Sequence, residues 1–243
     1  MTFKEFYKAI QEEFGGKGLN FDEVWEKFSG YVVENPLGFQ CEGKEPEPKV
    51  MDYSNRTGVL FKALKELLPI PDSPGLGMNV LDIGCGFPAP GESSQGTALP
   101  ERIREVDIFV YYCGIDADKY VIKLCKEAYG SFGSWIHGRV SDYISQEKMY
   151  MCPDLVIHTG FDRPRYSNAW EAHYPLATGR IPDVVLLESG CRANDYYSEH
   201  MDAWKFACFM YEANRYEEVK SDFYTWDGDV TQPSRFYKIY RRM

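Results

Sequence analysis

Four short stretches of the chain carry residue types suited to holding a nucleoside-bearing ligand. The first is Leu81-Asp82-Ile83-Gly84-Cys85-Gly86-Phe87-Pro88, where glycines follow an apolar run. Glycine permits a tight turn and lets backbone approach a ligand closely. The second is Gly114-Ile115-Asp116-Ala117-Asp118. An acid at a strand end can accept hydrogen bonds from both vicinal hydroxyls of a ribose. The third is Ser141-Asp142-Tyr143, a carboxylate for an adenine amino group beside a ring that can pack on the base. The fourth is His158-Thr159. Histidine titrates near neutral pH, which makes His158 the best candidate for a general base. The competing reading is a histidine that simply packs at a strand end.

Other titratable residues are less specific. Asp162 can pair with Arg163 or Arg165 on a loop, and His137 and His173 read as structural. Glu188 and Arg192 follow the fifth apolar run, at the end of a sheet where an acceptor would be met. The four histidines (137, 158, 173, 200) lack zinc-site spacing, and the seven cysteines contain no C-x-x-C pair. Neither set predicts a metal site or a disulfide framework. The scattered cysteines fit buried free thiols in a reducing cytoplasm.

These stretches must be positioned by something, and the apolar pattern says what. Five runs rich in strand-forming residues, 79–83, 108–115, 134–137, 154–158 and 183–187, alternate with helical or loop segments. Runs that are continuously apolar, separated by helices, predict a parallel sheet covered on both faces. The helix after the second run is clear, with Val121, Ile122, Leu124, Cys125 and Ala128 on one side and Gly130 where a C-cap glycine belongs. A longer helix is expected over about 198–215. Segments 217–226 and 234–240 are joined by a connector too short for a covering helix, so they should pair as an antiparallel hairpin. In such a sheet the ligand lies at the carboxyl ends of the strands, where strand order reverses. All four stretches map there.

The first third differs. Thr2 with Glu5, and Asn20 with Glu23, are capping-box patterns opening short amphipathic helices. Residues 36–49 read as a linker or mobile loop. A third helix after Ser54 carries Val59, Leu60, Ala63, Leu64, Leu67 and Leu68 on one face and ends before Pro69 and Pro71. The predicted organisation is a helical N-terminal extension over 1–76 and an α/β domain over 77–243. The fold class is a doubly wound, seven-stranded, mostly parallel sheet with a C-terminal antiparallel hairpin.

VLDIGCG at 80–86, GIDAD at 114–118 and Asp142 resemble the cofactor motifs of class I S-adenosylmethionine (SAM)-dependent methyltransferases. The order of the C-terminal elements is similar too, and the resemblance covers roughly 77–243. It implies SAM as cofactor. It places Gly84 and Gly86 under the methionine part, with Asp82 helping to hold that loop and the cofactor's amino group. It gives the ribose to Asp116 and the adenine to Asp142. His158 and Thr159 would border the transferring methyl. The implied cofactor-binding set is Asp82, Gly84, Cys85, Gly86, Asp116, Ala117, Asp142, Tyr143 and Thr159, with His158 as the catalytic candidate. Two departures stand out: Pro88 occupies the place of a third glycine, and the segment from Gly86 to the second strand is long. The first crossover helix is therefore expected to start late, near Pro100. Alternatives are a methyltransferase-like binding protein without catalysis and an NAD(P)-binding oxidoreductase, the latter opposed by Pro88, Pro90 and the terminal hairpin.

Composition narrows the partners. Asp and Glu total 37 against 27 Lys and Arg, a formal charge of -10, which argues against a surface that tracks nucleic-acid phosphates. No apolar run approaches the roughly 20 residues that span a bilayer, so no membrane partner is expected. The expected acceptor is a small or medium-sized organic molecule, methylated at oxygen or nitrogen. No N/D-P-P-Y sequence follows the fourth strand, which weighs against the amino-methylating DNA and protein-glutamine subgroups. Aromatic residues make up 16% of the chain, and those of the first 40 residues either dock the helices or wall an acceptor pocket.

Overall fold

The computed structural model describes residues 56–69, 77–86, 102–103, 106, 109–140, 152–159, 180–191, 207–208, 210–212, 214–225 and 234–243. The N-terminal helix pair, the 36–49 linker, the 88–91 turn, most of the late crossover helix, Asp142, Tyr143, residues 160–166, His173, Arg192 and most of the 198–215 helix lie outside the described residues. The described elements are α1 (Arg56–Leu64), β1 (Met78–Ile83), β2 (Val110–Asp116), α2 (Lys119–Tyr129), β3 (Gly133–His137), β4 (Leu155–His158), β5 (Val184–Cys191), β6 (Tyr216–Thr225) and β7 (Ser234–Arg242).

The seven strands form one sheet in the order β3-β2-β1-β4-β5-β7-β6. Pairings from β3 through β5 are parallel, while β7 runs antiparallel to both β5 and β6. This is the expected mostly parallel sheet with a terminal hairpin, and the β6–β7 register closes at Thr225↔Ser234. Parallel strands buried on both faces must be apolar on both, which is why β4 and the first half of β5 are buried at every position.

One face packs on the two helices. Ile122, Cys125 and Tyr129 of α2 and Leu60, Ala63 and Leu64 of α1 join Val80, Tyr112, Trp135, Ile157 and Leu186 in a single core. The segment assigned from sequence to the N-terminal extension thus contributes α1 to the core of the sheet. The other face buries Leu81, Cys113, Ile115, Val156, Val185 and Leu187, with Ala207, Cys208, Met210 and Tyr211 buried as well. Tyr211 stacks on Tyr240 at 6.1 Å and meets Tyr216 edge-on at 5.2 Å.

Three local expectations change. Ala128 is exposed, and Tyr129 completes the buried stripe of α2 instead, because a 3.6-residue period from Ile122 and Cys125 falls on position 129. Gly130 follows α2 in a right-handed conformation (φ -56°, ψ -28°), not the left-handed one of a glycine cap. The glycine is needed for space, since a Cβ there would meet the Lys126 carbonyl oxygen at 2.6 Å. Finally, β5 continues to Cys191, so Glu188 lies within the strand, opposite Tyr237 and fully buried, instead of on a loop. Its antiparallel pairing with β7 extends it past the end of the apolar run.

Candidate functional site

Strand order reverses at β1, whose neighbours are β2 on one side and β4 on the other. The loop leaving β1 is shaped by two left-handed glycines, Gly84 (φ +65°) and Gly86 (φ +61°). A Cβ built on either meets nothing within 4 Å, so open space lies against both positions. A substitution at either is therefore opposed by backbone conformation, not by crowding.

Asp116 fastens this loop to its neighbours. One carboxylate oxygen accepts from the Gly86 N–H at 3.0 Å, and the other accepts from the Asp118 N–H at 2.8 Å. The Asp116 backbone carbonyl accepts from the Gly138 N–H at 2.9 Å. One residue thus ties together the chain after β1, β2 and β3. The loop is further pinned by the Gly84 and Cys85 N–H groups, which both donate to the Ile115 carbonyl, at 2.8 and 3.1 Å. Asp118 in turn caps α2, accepting from Tyr120 N–H at 2.8 Å and Val121 N–H at 3.4 Å. Ala117, between the two acids, is exposed.

Asp82 sits on the face of the sheet that carries α2 and is only 6% exposed. Its carboxylate accepts a hydrogen bond from the Tyr112 hydroxyl. Burial, then the Asp82 charge, pushes that phenol well above its usual range, so it stays a donor. Tyr112 was not singled out from sequence. The available signal was a tyrosine two residues before Gly114, in a strand otherwise apolar. Tyr112 also packs on Trp135 (5.5 Å), whose indole N–H donates to the Tyr129 carbonyl at 2.9 Å.

His158 ends β4, in register with Ile83 of β1 and Leu187 of β5. Strand alternation turns it to the face opposite Asp82. It is 2% exposed, and burial lowers its pKa to about 3. The imidazole is therefore neutral at physiological pH. Thr159 follows it, half-buried. The structure thus brings Asp82, Gly84, Cys85, Gly86, Asp116 and Ala117 together around the ends of β1 and β2, with His158 and Thr159 at the adjacent end of β4. Cys125 joins them unforeseen: its thiol donates to the Gly86 carbonyl at 3.4 Å from α2. Among the described residues no group of three or more His, Cys, Asp or Glu is arranged to hold a metal, and no helix is long and apolar enough to cross a membrane.

No protein-family model matches the chain, and no curated protein matches it. Solved structures do. The CMeT domain of the citrinin polyketide synthase superposes with a TM-score of 0.50 at 10% identity, covering 76% of this chain and 52% of that one. YJHP from E. coli gives a TM-score of 0.50 at 12% identity, covering 88% and 99%. A SAM-dependent methyltransferase from Geobacter sulfurreducens, in complex with S-adenosyl-L-homocysteine, gives 0.49 at 13% identity, covering 88% and 97%. The chain spans about half the length of the polyketide-synthase structure. At such identities the likeness is one of fold. The two superpositions at a TM-score of 0.50, together with the strand order and the antiparallel β7, show an α/β methyltransferase-like fold.

Proposed function

We propose that the chain binds SAM at the ends of β1, β2 and β4 and catalyses methyl transfer to a small or medium-sized organic acceptor at oxygen or nitrogen. The observation that carries this reading is Asp116, whose carboxylate locks the Gly84–Gly86 turn beneath open space at the strand-order reversal. When bound, SAM supplies a methyl group already activated on a sulfonium.

The chain's own residues then have limited tasks, because the reaction needs alignment and exclusion of water more than proton transfer. The Gly84-Cys85-Gly86 backbone offers a close approach for the methionine end. Asp82 and Asp116 supply negative charge beside it, suited to a cationic ligand. A carboxylate has about four acceptor positions, so Asp116 retains capacity for ribose hydroxyls beyond its two loop bonds. Ala117 continues this edge, and Asp142 and Tyr143 would take the adenine. His158, with Thr159, borders the reacting end. Its low pKa supports a neutral wall over a general base, since a buried neutral imidazole does not repel a sulfonium and has little driving force to take a proton.

Calorimetric titration with S-adenosylhomocysteine tests the reading. Binding is expected, and Asp116→Ala should weaken it by roughly 1–3 kcal/mol, the scale for hydrogen-bonding groups left unpaired. No heat at millimolar ligand would sink the proposal. Unchanged affinity in the variant would remove Asp116 from the site.

A further inference from the structure

Two thiols lie beneath the glycine turn. Cys85 sits between Gly84 and Gly86 and is half-buried, its sulfur 3.1 Å from where a Cβ on Gly114 would stand. Cys125 is fully buried on α2, 40 positions later in the chain, yet its thiol donates to the Gly86 carbonyl. The Cys85 thiol in turn hydrogen-bonds to Cys125. A continuous chain results, from Cys85 through Cys125 to the backbone of the turn. Cys113, the next cysteine along the sheet, alternates to the opposite face and is buried there.

We propose that Cys85 and Cys125 form a reversible disulfide site that couples the oxidation state of the chain to the shape of the Gly84–Gly86 turn. Its effect on ligand affinity rests on the function proposed above; the bond itself does not. The oxidant is a low-molecular-weight disulfide such as glutathione disulfide. The half-buried Cys85 sulfur, deprotonated, attacks it, forming a mixed disulfide and releasing one glutathione thiolate. The Cys125 sulfur, giving up its proton, displaces the second glutathione thiolate and closes the Cys85–Cys125 bond. Both released thiolates take up protons as glutathione. The protein loses two hydrogens and two electrons, and the reagent gains them. The hydrogen bond to Cys125 and burial, then the charge of Asp82 and lastly that of Asp116, disfavour the Cys85 thiolate, so exchange is slow and calls for millimolar reagent over hours.

The consequence for the turn is direct. A disulfide holds its sulfurs about 2.05 Å apart, closer than two hydrogen-bonded thiols, so Cys85 is drawn toward α2. Cys125 then has no S–H to donate, and the Gly86 carbonyl loses that partner. Gly84 and Gly86 must accommodate the shift in a turn that Asp116 also grips.

The test uses the full chain, treated with glutathione disulfide under native conditions, alkylated and mapped by peptide mass spectrometry. An 85–125 crosslink is expected, with the protein mass lower by about 2 Da and restored by dithiothreitol. S-adenosylhomocysteine affinity should fall about tenfold in the oxidised form, the scale of one lost hydrogen bond. Cys125→Ser should give no 85–125 linkage on the same treatment and should retain glutathione on Cys85, since the second displacement has lost its sulfur. In the parent chain, a lasting mixed disulfide on Cys85, or free thiols with no 85–125 linkage, would overturn the site. A linkage with unaltered affinity would overturn the coupling. Should the reduced chain not bind S-adenosylhomocysteine at all, the function fails while the crosslink is still judged by mass. The coupling to the turn is then judged by limited proteolysis, where identical cleavage of both forms around residues 84–86 would overturn it.

Discussion

His158 shows how one buried side chain reports on its surroundings. In the unfolded chain it titrates near 6.5; in the fold, burial lowers it to about 3. Between these values the unfolded state holds a proton that the folded state refuses. Stability is therefore intact above pH 6.5 and falls as pH drops toward 3, by up to about 1.4 kcal/mol per pH unit from this group. Denaturant titrations of parent and His158→Gln across this range isolate the contribution, because the carboxylates common to both cancel. The variant should show the shallower dependence on pH; equal slopes would mean that His158 is solvated. From sequence, this histidine stood between a base and a packed strand end, and its burial fits the second. What made it ambiguous is that desolvation depends on the strands either side, β1 and β5, which sequence spacing does not reveal. Asp116 was legible as a strand-end acid. That its two oxygens already hold Gly86 and Asp118 was not, because those partners are set by the turn geometry.

At the scale of elements, the strands were readable because burial on both faces makes each parallel strand a continuous apolar run. β5 was cut short at Leu187 since a glutamate ended the run, and only pairing with β7, more than 40 residues on, carries the strand past it. The close approach of β2 to β3 was equally invisible. Gly114 lies opposite Trp135, and a Cβ there would stand 2.6 Å from two indole carbons. That ring is not free to retreat: its N–H is bound to the Tyr129 carbonyl, and Tyr112 packs beside it. Gly114→Ala is thus overpacking in a tight site, expected to cost about 1–3 kcal/mol in a urea melt. The same substitution pushes on the Cys85 sulfur, so loss of ligand affinity should accompany the loss of stability. A neutral variant would mean the two strands can separate more easily than the packing implies.

For the whole molecule, the question is where the folding unit begins. Sequence placed the boundary at 76, because the helix patterns and proline-rich stretches change texture at Gly77. That reading treated α1 as part of an extension, since an amphipathic helix does not name its partner. The partner is the sheet: Leu60, Ala63, Leu64 and Leu68 are buried in the same core as Val80, Trp135, Ile157 and Ile239. Lys220 of β6 also donates to the Ala63 carbonyl at 3.4 Å, linking α1 to the far edge of the sheet. Truncating one buried leucine costs about 2–5 kcal/mol, and Leu60, Leu64 and Leu68 all leave when residues 1–76 are removed. A domain is stable by only about 5–15 kcal/mol in all, so the loss approaches or exceeds the total. A chain beginning at residue 77 should therefore not fold, giving no cooperative thermal transition by circular dichroism and an expanded or aggregated profile on gel filtration. The milder Leu64→Ala should lower the midpoint of the full chain while helix and Trp135 signals still unfold together. A native-like cooperative melt of the 77–243 chain would support the boundary read from sequence and make α1 an accessory to the sheet.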